Sequence, residues 1–140
     1  MKVTPDFKMV IILDDTLPTG LQCNTAAVLS LTLGKKIDNL IDRDLVDGSG
    51  NIHVGLTNQP LPILKSTKEH LKELLKQAKD LSNNMLVVDI TDAAQTTKNY
   101  TDYEEKLRNM TSEKFTLLGI ALAGSQKDIK SLTGSLPLLK

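Results

Sequence analysis

The sequence predicts one α/β domain spanning residues 1–140, a three-layer α/β/α arrangement around a small, mixed but mostly parallel sheet. Three observations carry that expectation. Three short runs, Lys8–Leu13, Met85–Ile90 and Phe115–Ala123, are almost purely apolar, as strands buried on both faces require. Each run is followed by a segment with helical patterning, the alternation that builds layered α/β domains. The length of 140 residues suits one domain, which buries roughly two-thirds of the unfolded chain's surface without staples.

The elements follow in order. Lys8–Leu13 ends in Asp14-Asp15 and leads into a loop, Asp15–Gly20, that carries Pro18. Leu21–Ile37 reads as a helix, with Lys35 and Lys36 in its last turn where the dipole favours cations. It is apolar on several sides, which makes it either a buried helix or one that meets a partner subunit. Asp44–Gly55 reads as a hairpin turning at Asp47-Gly48-Ser49-Gly50-Asn51. Leu61–Lys65, set among Pro60 and Pro62, reads as an edge strand. Ser66-Thr67-Lys68-Glu69 forms a capping box, and the helix behind it runs to about Asn83 with an apolar face of Leu71, Leu74, Leu75, Ala78 and Leu81. Ala93–Asn99 has no decisive pattern. Thr101-Asp102-Tyr103-Glu104 is a second capping box and opens a short helix to Asn109. After the third apolar run, Gly124-Ser125 leads into a last helix, Gln126–Leu132, closed by Gly134.

Composition narrows the function classes. Lys plus Arg and Asp plus Glu number 17 each, so the net charge is zero, and charge lends no support to tRNA or other nucleic acid as a partner. Aromatic residues are only 3% of the chain, which leaves few platforms for stacking bases. The single cysteine, Cys23, excludes an intramolecular disulfide and a cysteine-based zinc site. No secretory signal or bilayer-length apolar stretch is legible, so a cytoplasmic protein without a membrane partner is the expectation.

Right-handed crossovers would bring the strand ends Asp14, Asp92 and Gly124 to one edge of the sheet, where open α/β sheets bind ligands. That rim gathers Asp14, Asp15, Thr16, Thr19, Gly20, Asp89, Thr91, Asp92, Thr96, Gly124 and Ser125. Clustered carboxylates there would suit acid–base work or a hard cation. The same residues also suit a structural role, because Asp commonly ends strands and caps helices. Ser125 with Asp128 is likewise an ordinary N-cap as well as an anion site. No residue set has the spacing of a resident metal or cofactor site. His53 and His70 stand alone, Cys23 reads as a packing cysteine, and the stripe Lys68, Lys72, Lys76 and Lys79 reads as a solvated helix face.

Three stretches carry a family resemblance: Leu17–Val28 (LPTGLQCNTAAV), Val88–Thr96 (VDITDAAQT) and Leu132–Leu139 (LTGSLPLL). Together they resemble a bacterial family known only as a domain of unknown function, which in turn looks like a branch of the type II peptidyl-tRNA hydrolases. The resemblance implies that fold, with the site near Gly20, Asp92 and Thr96. It also places Leu21 where those enzymes carry a catalytic lysine, Thr25 where they carry a glutamine and Val28 where they carry a histidine. Ala94 and Gln95 stand in place of a glycine and an arginine.

Three functions follow as readings. In the first, the domain binds a small molecule or a protein on a retained scaffold, through Asp14, Thr19, Gly20, Asn24, Gly124 and Ser125. In the second, it hydrolyses an ester or amide of peptidyl-tRNA type, with Asp92 as general base or water-orienting group and Thr96 as its hydrogen-bonding partner. In the third, the helix Leu21–Ile37 makes a homodimer. The incomplete catalytic set favours the first.

Overall fold

A computed structural model describes residues 1–81 and 83–140. A four-stranded sheet in the order β4-β1-β6-β5 organises the chain, formed by β1 (Phe7–Asp14), β4 (Ile63–Ser66), β5 (Leu86–Thr91) and β6 (Leu117–Ser125). The strands β2 (Leu45–Val46) and β3 (Ile52–His53) form a separate hairpin. The helices are α1 (Thr19–Lys36), α2 (Lys68–Leu81), α3 (Tyr100–Arg108) and α4 (Gln126–Thr133).

The continuous apolar run of β1 follows from its central place. Met9, Ile11 and Leu13 point to one face, against Leu29 and Leu33 of α1. Val10 and Ile12 point to the other, against Leu71 and Leu74 of α2 and Ile129 of α4. The three layers are therefore those the sequence predicts. Each fully buried side chain of this kind contributes about 1.5–3 kcal/mol of transfer free energy.

Two expectations are corrected. The sheet is mixed, but "mostly parallel" fails at the level of pairs: β1 pairs parallel with β4 and antiparallel with β6, and β5 pairs antiparallel with β6. The cause lies between β5 and β6. That segment forms a 3-10 turn (Asp92–Gln95), then α3, then a second 3-10 turn (Ser112–Lys114), and none of α3's residues is buried. It stays at the rim instead of crossing a face, so β6 starts where β5 ends and must run back. The second correction concerns β5 itself, which is an edge strand, half-buried over Leu86–Val88 and exposed at Asp89.

The other edge, β4, is the edge strand expected near Leu61–Lys65. Its free side is covered by the tail, through bonds from Lys65 N–H to Pro137 O at 3.0 Å and from Leu139 N–H to Ile63 O at 2.9 Å. Two helix caps differ from the expected boxes. The Thr67 hydroxyl, not Ser66, accepts from His70 N–H at the start of α2, and Asn99, not Thr101, caps α3 by accepting from Asp102 N–H. The α2 end expected near Asn83 passes through Ser82, which lies outside the described residues; the helix is described to Leu81.

Helix α1 is amphipathic in effect. Thr25, Leu29 and Leu33 are buried, while Leu31 on the far side is 75% exposed, so it is not the wholly buried helix its composition allows. Cys23 is exposed rather than packed. The hairpin β2–β3 stands where expected. Its turn is held by the Asp47 carboxylate, which accepts from the N–H groups of Ser49 and Asn51 and pairs with His53 Nε2 at 2.8 Å. The His53 contact, followed by those two N–H groups, keeps the Asp47 carboxyl below its ordinary value. Gly50 has φ +84°, a conformation that favours glycine.

Candidate functional site

The rim predicted by topology is only partly assembled. β1 and β5 both run opposite to β6, with Leu13 beside Gly119 and Thr91 beside Leu117, so Asp14 and Asp92 do reach the same edge. Gly124 and Ser125 do not. They pair with Lys8 and Phe7 at the other end of the sheet, because β6 is antiparallel. Ser125 there is the N-cap of α4, accepting from Asp128 N–H at 3.1 Å. The placement of Gly124 and Ser125 on the common rim is corrected accordingly.

The remaining rim residues are largely engaged in local structure. Asp14 is 2% exposed, and its Oδ1 accepts from the Thr16 N–H at 2.9 Å and hydroxyl at 2.7 Å, closing the turn that leaves β1. Thr19 and Gly20 form the exposed first turn of α1, and Asn24 lies exposed one turn further on. Asp92 clasps the 3-10 turn to the start of β6: its Oδ1 accepts from Thr116 N–H at 3.2 Å, and its own N–H donates to Thr116 O at 2.9 Å. The Thr96 hydroxyl donates to Ala93 O at 3.3 Å and accepts from the Lys106 ammonium. No bond joins Thr96 to Asp92 among the described residues. Lys106 of α3 thus supplies a cation beside Thr96, ten residues away in sequence and invisible to motif reading.

A concavity lies next to this segment. A cavity of about 520 Å³ opens between α1, β5 and the start of α3. Its floor is apolar, from Val28 and Leu29 of α1, Ile90 of β5 and Ala94. Its polar wall holds Asp89, Lys98, Asn99, Tyr100 and Tyr103. The two tyrosine rings are tilted by 50° with centroids 5.9 Å apart, within the range of favourable aromatic pairs. They are the chain's only tyrosines, and both lie on α3 at a spacing that shares a helix face. That pairing is a sequence signal for this wall, although Tyr103 entered the sequence reading only as part of the capping box Thr101–Glu104. Val28 reaches the cavity from the exposed side of α1. Thr25 is fully buried beside Gly119, with no hydrogen-bond partner for its hydroxyl among the described residues.

Burial raises the Tyr103 phenol above its ordinary value of 10.0, and the negative charge of Asp89 raises it further, against a lowering hydrogen bond with Thr91. A raised phenol stabilises the fold below its unfolded value and loses that contribution as pH climbs through the folded one. Ultraviolet titration of tyrosinate absorbance should therefore show Tyr103 ionising above pH 10. Asp89→Asn should move that step downward. An unchanged step would mean that Asp89 and Tyr103 do not share this wall.

Among the described residues, no group of three or more His, Cys, Asp or Glu side chains converges as a metal site, and no helix is long and apolar enough to cross a membrane.

Layers, strand order and cavity together define the class: an α/β domain with a four-stranded mixed sheet, α1 on one face, α2 and α4 on the other, and a concavity at the β5 edge. Within that class, the chain belongs to the family described as "Protein of unknown function (DUF2000)", whose model matches residues 7–140. Its structure is similar to that of the protein of unknown function Atu0240 from Agrobacterium tumefaciens strain C58, with a TM-score of 0.85 and 19% identity over 96% of this chain and 98% of that one. At that identity the likeness shows a shared fold. No curated protein matches the sequence.

Proposed function

We propose that this domain is a small-ligand-binding module whose site is the cavity between α1, β5 and α3, and that its ligand carries an apolar body and an amine. The observation that carries this reading is the wall of Asp89, Tyr100 and Tyr103 above an apolar floor. A carboxylate near aromatic faces suits an organic cation, through charge pairing and attraction to the ring quadrupole, and the Lys98 ammonium on the same wall directs the amine toward Asp89. The apolar floor supplies most of the contact area, as in ordinary ligand pockets, and 520 Å³ falls in their size range.

The likeness to type II peptidyl-tRNA hydrolases rests on Gly20, Asp92, Thr96 and the Thr133-Gly134 ending, and it supports a scaffold of that kind. It supports hydrolysis less well. The lysine position is Leu21, and both Asp92 and Thr96 already hold hydrogen bonds within the rim. Binding without turnover is therefore the preferred reading.

Nuclear magnetic resonance titration with phenethylamine and phenylpropionate tests it. The amine is expected to shift the amides of Ala94 and Lys98–Tyr103 saturably, and Val28→Trp, at a position already 40% exposed, is expected to abolish the response by filling the cavity. Preference for the carboxylate, or shifts elsewhere, would sink the proposal. Cleavage of an N-blocked aminoacyl-tRNA that disappears in Asp92→Ala would restore the hydrolase reading.

A further inference from the structure

On the opposite face of β5 lies a second cavity of about 470 Å³, bounded by α2, β5 and the α3–β6 connection. Its lining differs in kind from the first. Leu75, Leu107, Phe115 and Leu117 supply an apolar interior. One wall is formed by Lys72, Lys76 and Lys79, spaced to share one side of α2.

From the sequence these lysines read as part of a solvated stripe. Lys72, Lys76 and Lys79 are indeed exposed, and the fold also sets these three at the mouth of an apolar concavity. Lys72 is held there, its ammonium donating to Glu113 O at 3.1 Å. Among the described residues, neither Lys76 nor Lys79 has a carboxylate within ion-pair distance. Like charges one turn apart on a helix repel, and an anion between them relieves the repulsion. The lining also carries Asp89 on β5 and Glu113 against Lys72, so an anionic head fits beside Lys76 and Lys79, with its tail turned toward Phe115 and Leu117.

We infer that this second cavity binds a small amphipathic anion, a carboxylate with an aliphatic or aromatic tail, independently of the cavity between α1 and α3. Asp89 lines both cavities, but Lys76 and Lys79 line only this one, so their replacement tests this site apart from the first.

Octanoate, octanol and octylammonium, titrated separately into the purified chain and followed by amide shifts, make the test. Octanoate is expected to saturate a response confined to Leu75, Leu107, Phe115 and Leu117. The double variant K76Q/K79Q is expected to weaken octanoate at least fivefold and leave octanol unchanged, whereas K76R/K79R keeps the wild-type preference. Unaltered melting of both variants separates a binding effect from a folding one. Equal response to octylammonium, shifts spread over other surfaces, or unchanged octanoate binding in K76Q/K79Q each overturn the inference.

Discussion

Replacing Gly119 by valine is expected to cost about 3 kcal/mol of stability, the upper part of the range for forcing bulk into a packed core. Gly119 lies in β6 between β1 and β5, paired with Leu13 on one side and Ile90 on the other. A Cβ there would stand 2.8 Å from Leu13 Cδ2, 3.0 Å from Ile12 O and 3.1 Å from Thr25 Cγ2. The Leu13 methyl is the end of a side chain and can move; the Ile12 carbonyl belongs to the central strand and cannot move cheaply. Valine adds two further methyls on the same side, toward α1. Against a total stability of about 5–15 kcal/mol, the loss would be conspicuous in urea denaturation. Gly34, at an exposed position of α1, is the internal control. Nothing lies within 4 Å of a Cβ at that position, so Gly34→Ala is expected to stabilise the domain by about 0.5–1 kcal/mol. Equal stability of Gly119→Val and wild type would mean that β1, β6 and α1 do not close around Gly119.

Leu29→Ala is expected to cost about 2–5 kcal/mol, the range for emptying a buried leucine site. Leu29 is 1% exposed and packs on the β1 side of α1, yet it also lines the floor of the 520 Å³ cavity. Its removal therefore enlarges that cavity from below, and part of the cost depends on how far α1 settles onto the sheet. Val28, the next residue, is 40% exposed over the same cavity, and Val28→Ala is expected to cost under about 1 kcal/mol. Thermal melting distinguishes the pair. Similar losses for both would show that α1 turns a different face to the sheet.

Much of the architecture was legible from residues alone. The run Lys8–Leu13 is apolar at every interior position because β1 has a neighbour on each side and helices over both faces, and such a run admits few other readings. The face Leu71, Leu74 and Ala78 identified α2 through a spacing that only one side of a helix satisfies. Asp47 and Gly50 marked the hairpin because the turn needs a local acceptor and a positive φ. These are short-range requirements, met within one turn or one strand.

The site was less legible, since its parts are joined by chain direction rather than by spacing. Gly124-Ser125 has the local chemistry of a rim loop, but the sense of β6 depends on whether the segment after β5 crosses the sheet, and α3 carries no buried residue to take it across. Lys106 reaches Thr96, Tyr103 reaches Asp89, and Lys76 and Lys79 border Phe115 through that same return of the chain. By itself, then, the sequence determined the layers, the central strand and the helix faces, because burial imposes a period on the residues that undergo it. Only the tertiary structure decided which charged and aromatic side chains share a cavity, because exposed residues obey no period and their neighbours are set by topology.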